Sequence, residues 1–235
     1  MEHNTDILIW GEPFDHSNIC QSMADQFRSF TTRWPPDEWF LSKRRESKLS
    51  DDWVATLYPD IDRLFDAHRH FLNVLFGEQA RSTGRSEWGL KEVRLTVDHA
   101  AYLRALYPNC KLVFLYRNPL NAYLSYRNWG VAWYAHWPDK PVSNAFSFGR
   151  NWARLTRDFI DKHLEVDGIL IRYEDLDNPD DVKRLETYLG WPVARSSELR
   201  RIGESSTTGA RERIPCFERI LLHLGVGKTY RRAGY

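Results

Sequence analysis

The chain has 235 residues, of which 42% are hydrophobic and 28% charged, and its formal net charge is +1. That length suits one large domain or two small ones, and is enough for a real core. The near-neutral balance argues against a broad nucleic-acid footprint, and no apolar run approaches the roughly 20 residues a membrane span needs.

The opening stretch MEHNTDILIWGEPFD is acidic where a secretory signal would be basic and then apolar. Within it, DILIW predicts a short buried strand running into GEPFD, and a helix begins near Ser17. DIDRLFDAHRHFLNVLFGEQA sets Ile61, Leu64, Phe65, His68, Phe71, Leu72, Leu75 and Phe76 at helical spacing, with Gly77 positioned to cap the end. RSTGRS is a loop, EWGLKEV a short strand, and LTVDHAAYLRALYP a helix stopped by Pro108. CKLVFLY is a second buried strand. NPLNAYLSYRNW then opens a helix, with Asn118 as N-cap and Pro119 at its first position. AFSFGRNWARLTRDFIDKHL is a longer helix, and DGILIRYEDL is a strand with its exit turn. PDDVKRLETYLG is a helix ended by Gly190, and RERIPCFERILLHLG a last one.

Strands alternate with helices, and the strands are continuous apolar runs. This predicts an α/β fold, a parallel sheet with helices on both faces. No repeat, low-complexity tract or linker interrupts the chain, so residues 1–235 read as a single domain, although four strands are few for such a sheet. Cys20, Cys110 and Cys216 are odd in number and far apart, which fits reduced thiols in a cytoplasm and neither a disulfide framework nor a zinc site. The eight His are scattered, and His68 to His70 fall on a helix, so no metal site is expected.

KLVFLYRNPLNAYLS carries the chemistry. In an open parallel sheet, ligands bind beyond the carboxyl ends of the strands, where Arg117 sits. The following helix points its free N–H groups and positive dipole end into the same space, and a guanidinium there can grip a phosphate with two hydrogen bonds. Ser125, about two turns on, is placed to face Arg117 across a bound anion. The plain alternative is an Arg117 paired with a carboxylate and a surface Ser125.

LVFLYRNPLNAYLSY resembles the 3′-phosphate-binding segment of the sulfotransferases that use PAPS, 3′-phosphoadenosine 5′-phosphosulfate. WGLKEVRLTVDHAAYLRALYPNCKLVFLYR, ILIRYEDLDNPDDVKRLETYLGWP and LGVGKTYRRAGY resemble further family segments, so the likeness spans roughly residues 86 to 235. The resemblance implies a P-loop-like parallel sheet and sulfuryl transfer from PAPS, without a metal, to a hydroxyl of a saccharide or small molecule. It implies that Arg117 and Ser125 bind the 3′-phosphate and that Tyr173 lies near the adenine. Glu174 and Asp175 are expected to hold their turn. Ser206 to Arg213 falls where the family closes a basic loop, making Arg211 or Arg213 a further 3′-phosphate ligand.

In-line transfer also needs a base within hydrogen-bond reach of the acceptor and positive charge near the leaving oxygens. Glu12, in a GE context after the first strand, is the candidate base, with His16 and His99 as rivals. Lys91 matches a lysine the family keeps near the transferring group. Trp129, Trp133, Tyr134 and Trp137 either stack on an acceptor or pack the core.

The family's Gly-rich strand-loop-helix for the 5′-phosphosulfate is not found, since six residues precede Ile7 and GEPFDHSN carries acids where anion donors are needed. The expectation is therefore a chain without that first element and with little transfer activity of its own. Two other readings remain, a non-catalytic nucleotide-binding paralogue and a nucleotide kinase-like enzyme. For the latter, GVGKT (Gly225 to Thr229) imitates a P-loop end, but Leu222 stands where the pattern needs glycine.

Overall fold

A computed structural model describes residues 6–13, 19–28, 30, 34–43, 54–93, 95–128, 142–193 and 214–235. The four predicted strands form: β1 (Ile7–Gly11), β2 (Glu87–Lys91), β3 (Val113–Tyr116) and β4 (Ile169–Arg172). They pair as two short parallel sheets, β1 with β2 and β3 with β4, where the sequence predicts one sheet. The apolar runs also predict burial on both faces, yet Leu115 in β3 is exposed while Phe114 beside it is buried. The architecture is mixed α/β, built from short parallel strands and many helices.

The contacts divide the chain into two compact units. One takes in Asp6–Glu92 and Ala101–Cys110. Its helices are α1 (Ile19–Arg28), α2 (Ile61–Leu72) and α3 (Glu78–Ser82), with most of α4 (Val97–Leu106). Cys20, Met23, Leu72, Phe76, Ala80 and Leu106 are buried here. Contrary to expectation, Gly77 caps nothing: a π-helical turn, Asn73–Gly77, joins α2 to α3, and the chain leaves the helical path only at Gly84, φ +80°. Gly77 instead makes room for the indole of Trp88, whose nitrogen a Cβ would approach to 3.1 Å. Phe71, at the edge of the predicted stripe, is exposed.

His68 is buried on α2, its Nδ1 2.9 Å from the Tyr102 hydroxyl and its Nε2 3.2 Å from Oε1 of Gln26. Desolvation lowers its pKa below the ordinary 6.5. The fold therefore holds the neutral ring, and its contribution is present above the unfolded value. Stability is lost as pH falls below 6.5 and on through the lower folded-state value. Denaturant titrations at pH 7.5 and 5.5 are expected to show a drop for the wild type that is smaller in His68→Gln.

The second unit contains Val93–Ala100 and Lys111–Tyr235. Its further helices are α5 (Pro119–Asn128), α6 (Ala145–Lys162), α7 (Pro179–Leu189), α8 (Cys216–Val226) and α9 (Thr229–Arg232). α5 begins as the sequence predicts, with the Asn118 side chain accepting from the N–H of Leu120 at 2.9 Å. α7 ends on Gly190 in the left-handed conformation. α6 packs on α8 at a glycine crossing in a core that includes Phe148, Trp152, Leu222 and Val226. A Cβ on Gly225 would lie 2.3 Å from the Phe146 carbonyl oxygen, and one on Gly149 would lie 2.6 Å from that of Leu222.

Both obstacles are backbone, so neither can swing aside. Gly225→Ala is expected to lower the unfolding midpoint, because overpacking costs about 1–3 kcal/mol against roughly 1 kcal/mol gained in helix propensity. Gly11→Ala, where a Cβ meets nothing within 4 Å, is the control expected to leave the midpoint nearly unchanged.

Candidate active site

Each unit carries its own group of candidate residues. In the first, β1 and β2 end side by side, Gly11 opposite Lys91. The chain then turns at Glu12, whose φ of +48° is a left-handed conformation that non-glycine residues rarely adopt. The turn is held by the Glu12 N–H, which donates to the Lys91 carbonyl at 2.7 Å. It brings the Glu12 carboxylate into an ion pair with the Lys91 ammonium. The sequence nominates both residues separately, and the strand register brings them together. Burial holds the Lys91 amine below its usual range, against the opposing pull of Glu92. The arrangement offers one carboxylate and one cation at a strand edge, held there by a backbone conformation that costs about 1–2 kcal/mol.

In the second unit, β3 and β4 also end together, Tyr116 opposite Arg172. Arg117 follows β3, and Tyr173 follows β4 in a 3-10 turn (Tyr173–Asp175). The Arg117 guanidinium lies 4.9 Å from the centre of the Tyr173 ring. Its Nε is buried without a hydrogen-bond partner, and among the described residues no carboxylate pairs with it. Trp152 fixes the backbone beneath, its indole N–H donating to the Arg117 carbonyl at 2.9 Å. An arginine held by its backbone and a ring face, with a donor left over, suits an incoming anion.

The helix N-terminus departs from the sequence reading at one bond beyond its predicted Asn118 cap. Its N–H groups are not all free. That of Leu120 goes to the Asn118 side chain, and that of Asn118 goes to Oε1 of Glu174 at 2.9 Å. Asp175 holds the turn as expected, taking the Arg172 guanidinium in two hydrogen bonds of 2.8 and 2.5 Å, whereas Glu174 reaches out of it to Asn118 and Tyr235. Ser125 lies exposed on α5.

The rival base His99 is buried, with its Nδ1 accepting the N–H of Thr96 at 3.0 Å at the start of α4. His16, Arg211, Arg213 and the aromatic stretch Trp129 to Pro138 lie outside the described residues. GVGKT is no P-loop. A helix, α8, precedes it in place of a strand, and Gly225 is spent on the crossing with α6. Sequence reasoning misses the roles of Trp152 and Tyr235, which the fold brings to the Arg117 neighbourhood from distant positions. Among the described residues no group of three His, Cys, Asp or Glu is placed to hold a metal ion, and no helix is long and apolar enough to cross a membrane.

A family model described as Sulfotransferase family matches residues 13–195, more than three quarters of the chain. The match takes in Lys91, Arg117, Ser125 and Tyr173, and it reaches further toward the N-terminus than the motifs do. No curated protein and no solved structure matches significantly.

Proposed function

The chain belongs to the sulfotransferase family, and from that premise we propose that it moves a sulfuryl group from PAPS to a hydroxyl of a saccharide or small molecule. The same reading gives the fold a P-loop-like form. PAPS supplies the sulfuryl group and a leaving phosphate. Arg117 holds the 3′-phosphate, Ser125 adds a hydroxyl donor, and Tyr173 lies against the adenine. Arg211 closes over the same phosphate. Glu12 takes the proton of the attacking hydroxyl, and Lys91 sets positive charge beside the oxygens that gain charge. The free cysteines, Cys20, Cys110 and Cys216, support a cytoplasmic setting.

The observation that carries the reading is the Arg117 guanidinium over Tyr173 with its Nε buried and unpartnered. A buried donor without an acceptor is costly, about 1–3 kcal/mol, and a phosphate oxygen would satisfy it. The test is to follow release of PAP, the desulfated donor, from PAPS offered with a panel of saccharides and phenols. Release that depends on the hydroxyl compound supports the proposal. Intact PAPS, together with no affinity for PAP, overturns it.

A further inference from the structure

Glu174 sets a problem for any anion site at Arg117. It neighbours Tyr173 in the chain and is bonded to Asn118, the residue after Arg117. A carboxylate so close to an arginine with no acidic partner would pair with it and fill the place of a phosphate. In this fold each of its oxygens already accepts a hydrogen bond that points it away from the guanidinium. Oε1 accepts the Asn118 N–H at 2.9 Å, and Oε2 accepts the Tyr235 hydroxyl at 2.5 Å.

Tyr235 is itself held from several sides. Its ring packs edge-on to Tyr116, with centroids 6.3 Å apart, and lies 5.7 Å from Tyr230. The Arg172 guanidinium stands 5.5 Å from the ring and donates to the Gly234 carbonyl at 2.9 Å. The Tyr116 hydroxyl donates to the Ala233 carbonyl at 3.3 Å. Burial and the Glu174 carboxylate raise the pKa of the Tyr235 phenol, so it remains a donor across the working pH range.

We propose that Tyr235 is a positioning residue for the anion clamp: by holding Glu174 against the Asn118 amide, it keeps that carboxylate off Arg117. The proposal rests on the reading that Arg117 binds the 3′-phosphate. Loss of the hydroxyl alone, in Tyr235→Phe, frees one carboxylate oxygen to compete with phosphate for the guanidinium. Glu174→Gln keeps an oxygen for the Asn118 amide but removes the competing charge.

The test is calorimetric titration with PAP of the full chain, Tyr235→Phe, Glu174→Gln and the double variant, with hydrogen exchange at the Asn118 amide. Tyr235→Phe is expected to weaken PAP binding about tenfold, the scale of one hydrogen bond to a charged acceptor. The double variant is expected to return to near wild-type affinity, a rescue that a purely structural tyrosine would not give. Unchanged affinity in Tyr235→Phe, or a loss that Glu174→Gln does not rescue, overturns the proposal. If the wild type does not bind PAP, it is the 3′-phosphate reading that fails. Exchange then decides the latch alone: faster at Asn118 in Tyr235→Phe supports it, and an unchanged rate overturns it.

Discussion

Arg117→Ala is expected to weaken PAP binding by about 30-fold or more, since removing one partner of a desolvated charge pair costs 2–5 kcal/mol and each 1.4 kcal/mol is a factor of ten. The fold itself should tolerate the change. Among the described residues Arg117 makes no ion pair, and its backbone carbonyl, which Trp152 holds, survives the substitution. The thermal midpoint should therefore move little while affinity collapses. Arg117→Lys is expected to fall between the two, because an ammonium keeps the charge but not the planar pair of donors. Calorimetry beside a thermal melt separates these outcomes. A variant that melts far below the wild type would mean that Arg117 is structural.

Glu12→Gly is expected to make the protein more stable and the enzyme worse. At φ +48°, a glutamate carries backbone strain that glycine does not. Relief should add about 1 kcal/mol, and little is subtracted with the Lys91 ion pair because exposed pairs contribute about 0–1 kcal/mol. Transfer should fall on the order of 100-fold to 10,000-fold, the usual contribution of a positioned base. Opposite movements of melting temperature and rate are the signature of strain kept for function. If both fall together, Glu12 serves the fold. If the rate is unchanged, another residue takes the proton.

Much of the fold is legible because its signals are local. The apolar runs at Ile7–Gly11, Val113–Tyr116 and Ile169–Arg172 mark three strands, the short EWGLK stretch marks β2, and Asn118 followed by Pro119 marks the start of α5. What the sequence does not reveal depends on distant partners. Glu174 reaches Asn118 across 56 positions, and Tyr235 reaches Glu174 across 61, with no periodicity to announce either bond. Gly77 looks like a helix cap because a cap and a close contact both call for glycine, and only the position of Trp88 separates them. Gly225 looks like part of a phosphate loop for a similar reason, while its real constraint is the Phe146 carbonyl on α6. At the site, residue types suffice to nominate Glu12, Lys91, Arg117 and Tyr173. The contacts of Glu12 with Lys91 and of Arg117 with Tyr173 require the strand register.

In the proposed function Arg117 reads a 3′-phosphate. The direct measurement is parallel calorimetric titration of the wild type and Arg117→Ala with PAP and with adenosine 5′-phosphate, which lacks that group. PAP is expected to bind the wild type at least about tenfold more tightly, the scale of one charge-assisted contact, and the preference is expected to disappear in Arg117→Ala. Equal affinity of the wild type for the two nucleotides, or a preference that survives the substitution, would mean that Arg117 does not read that group.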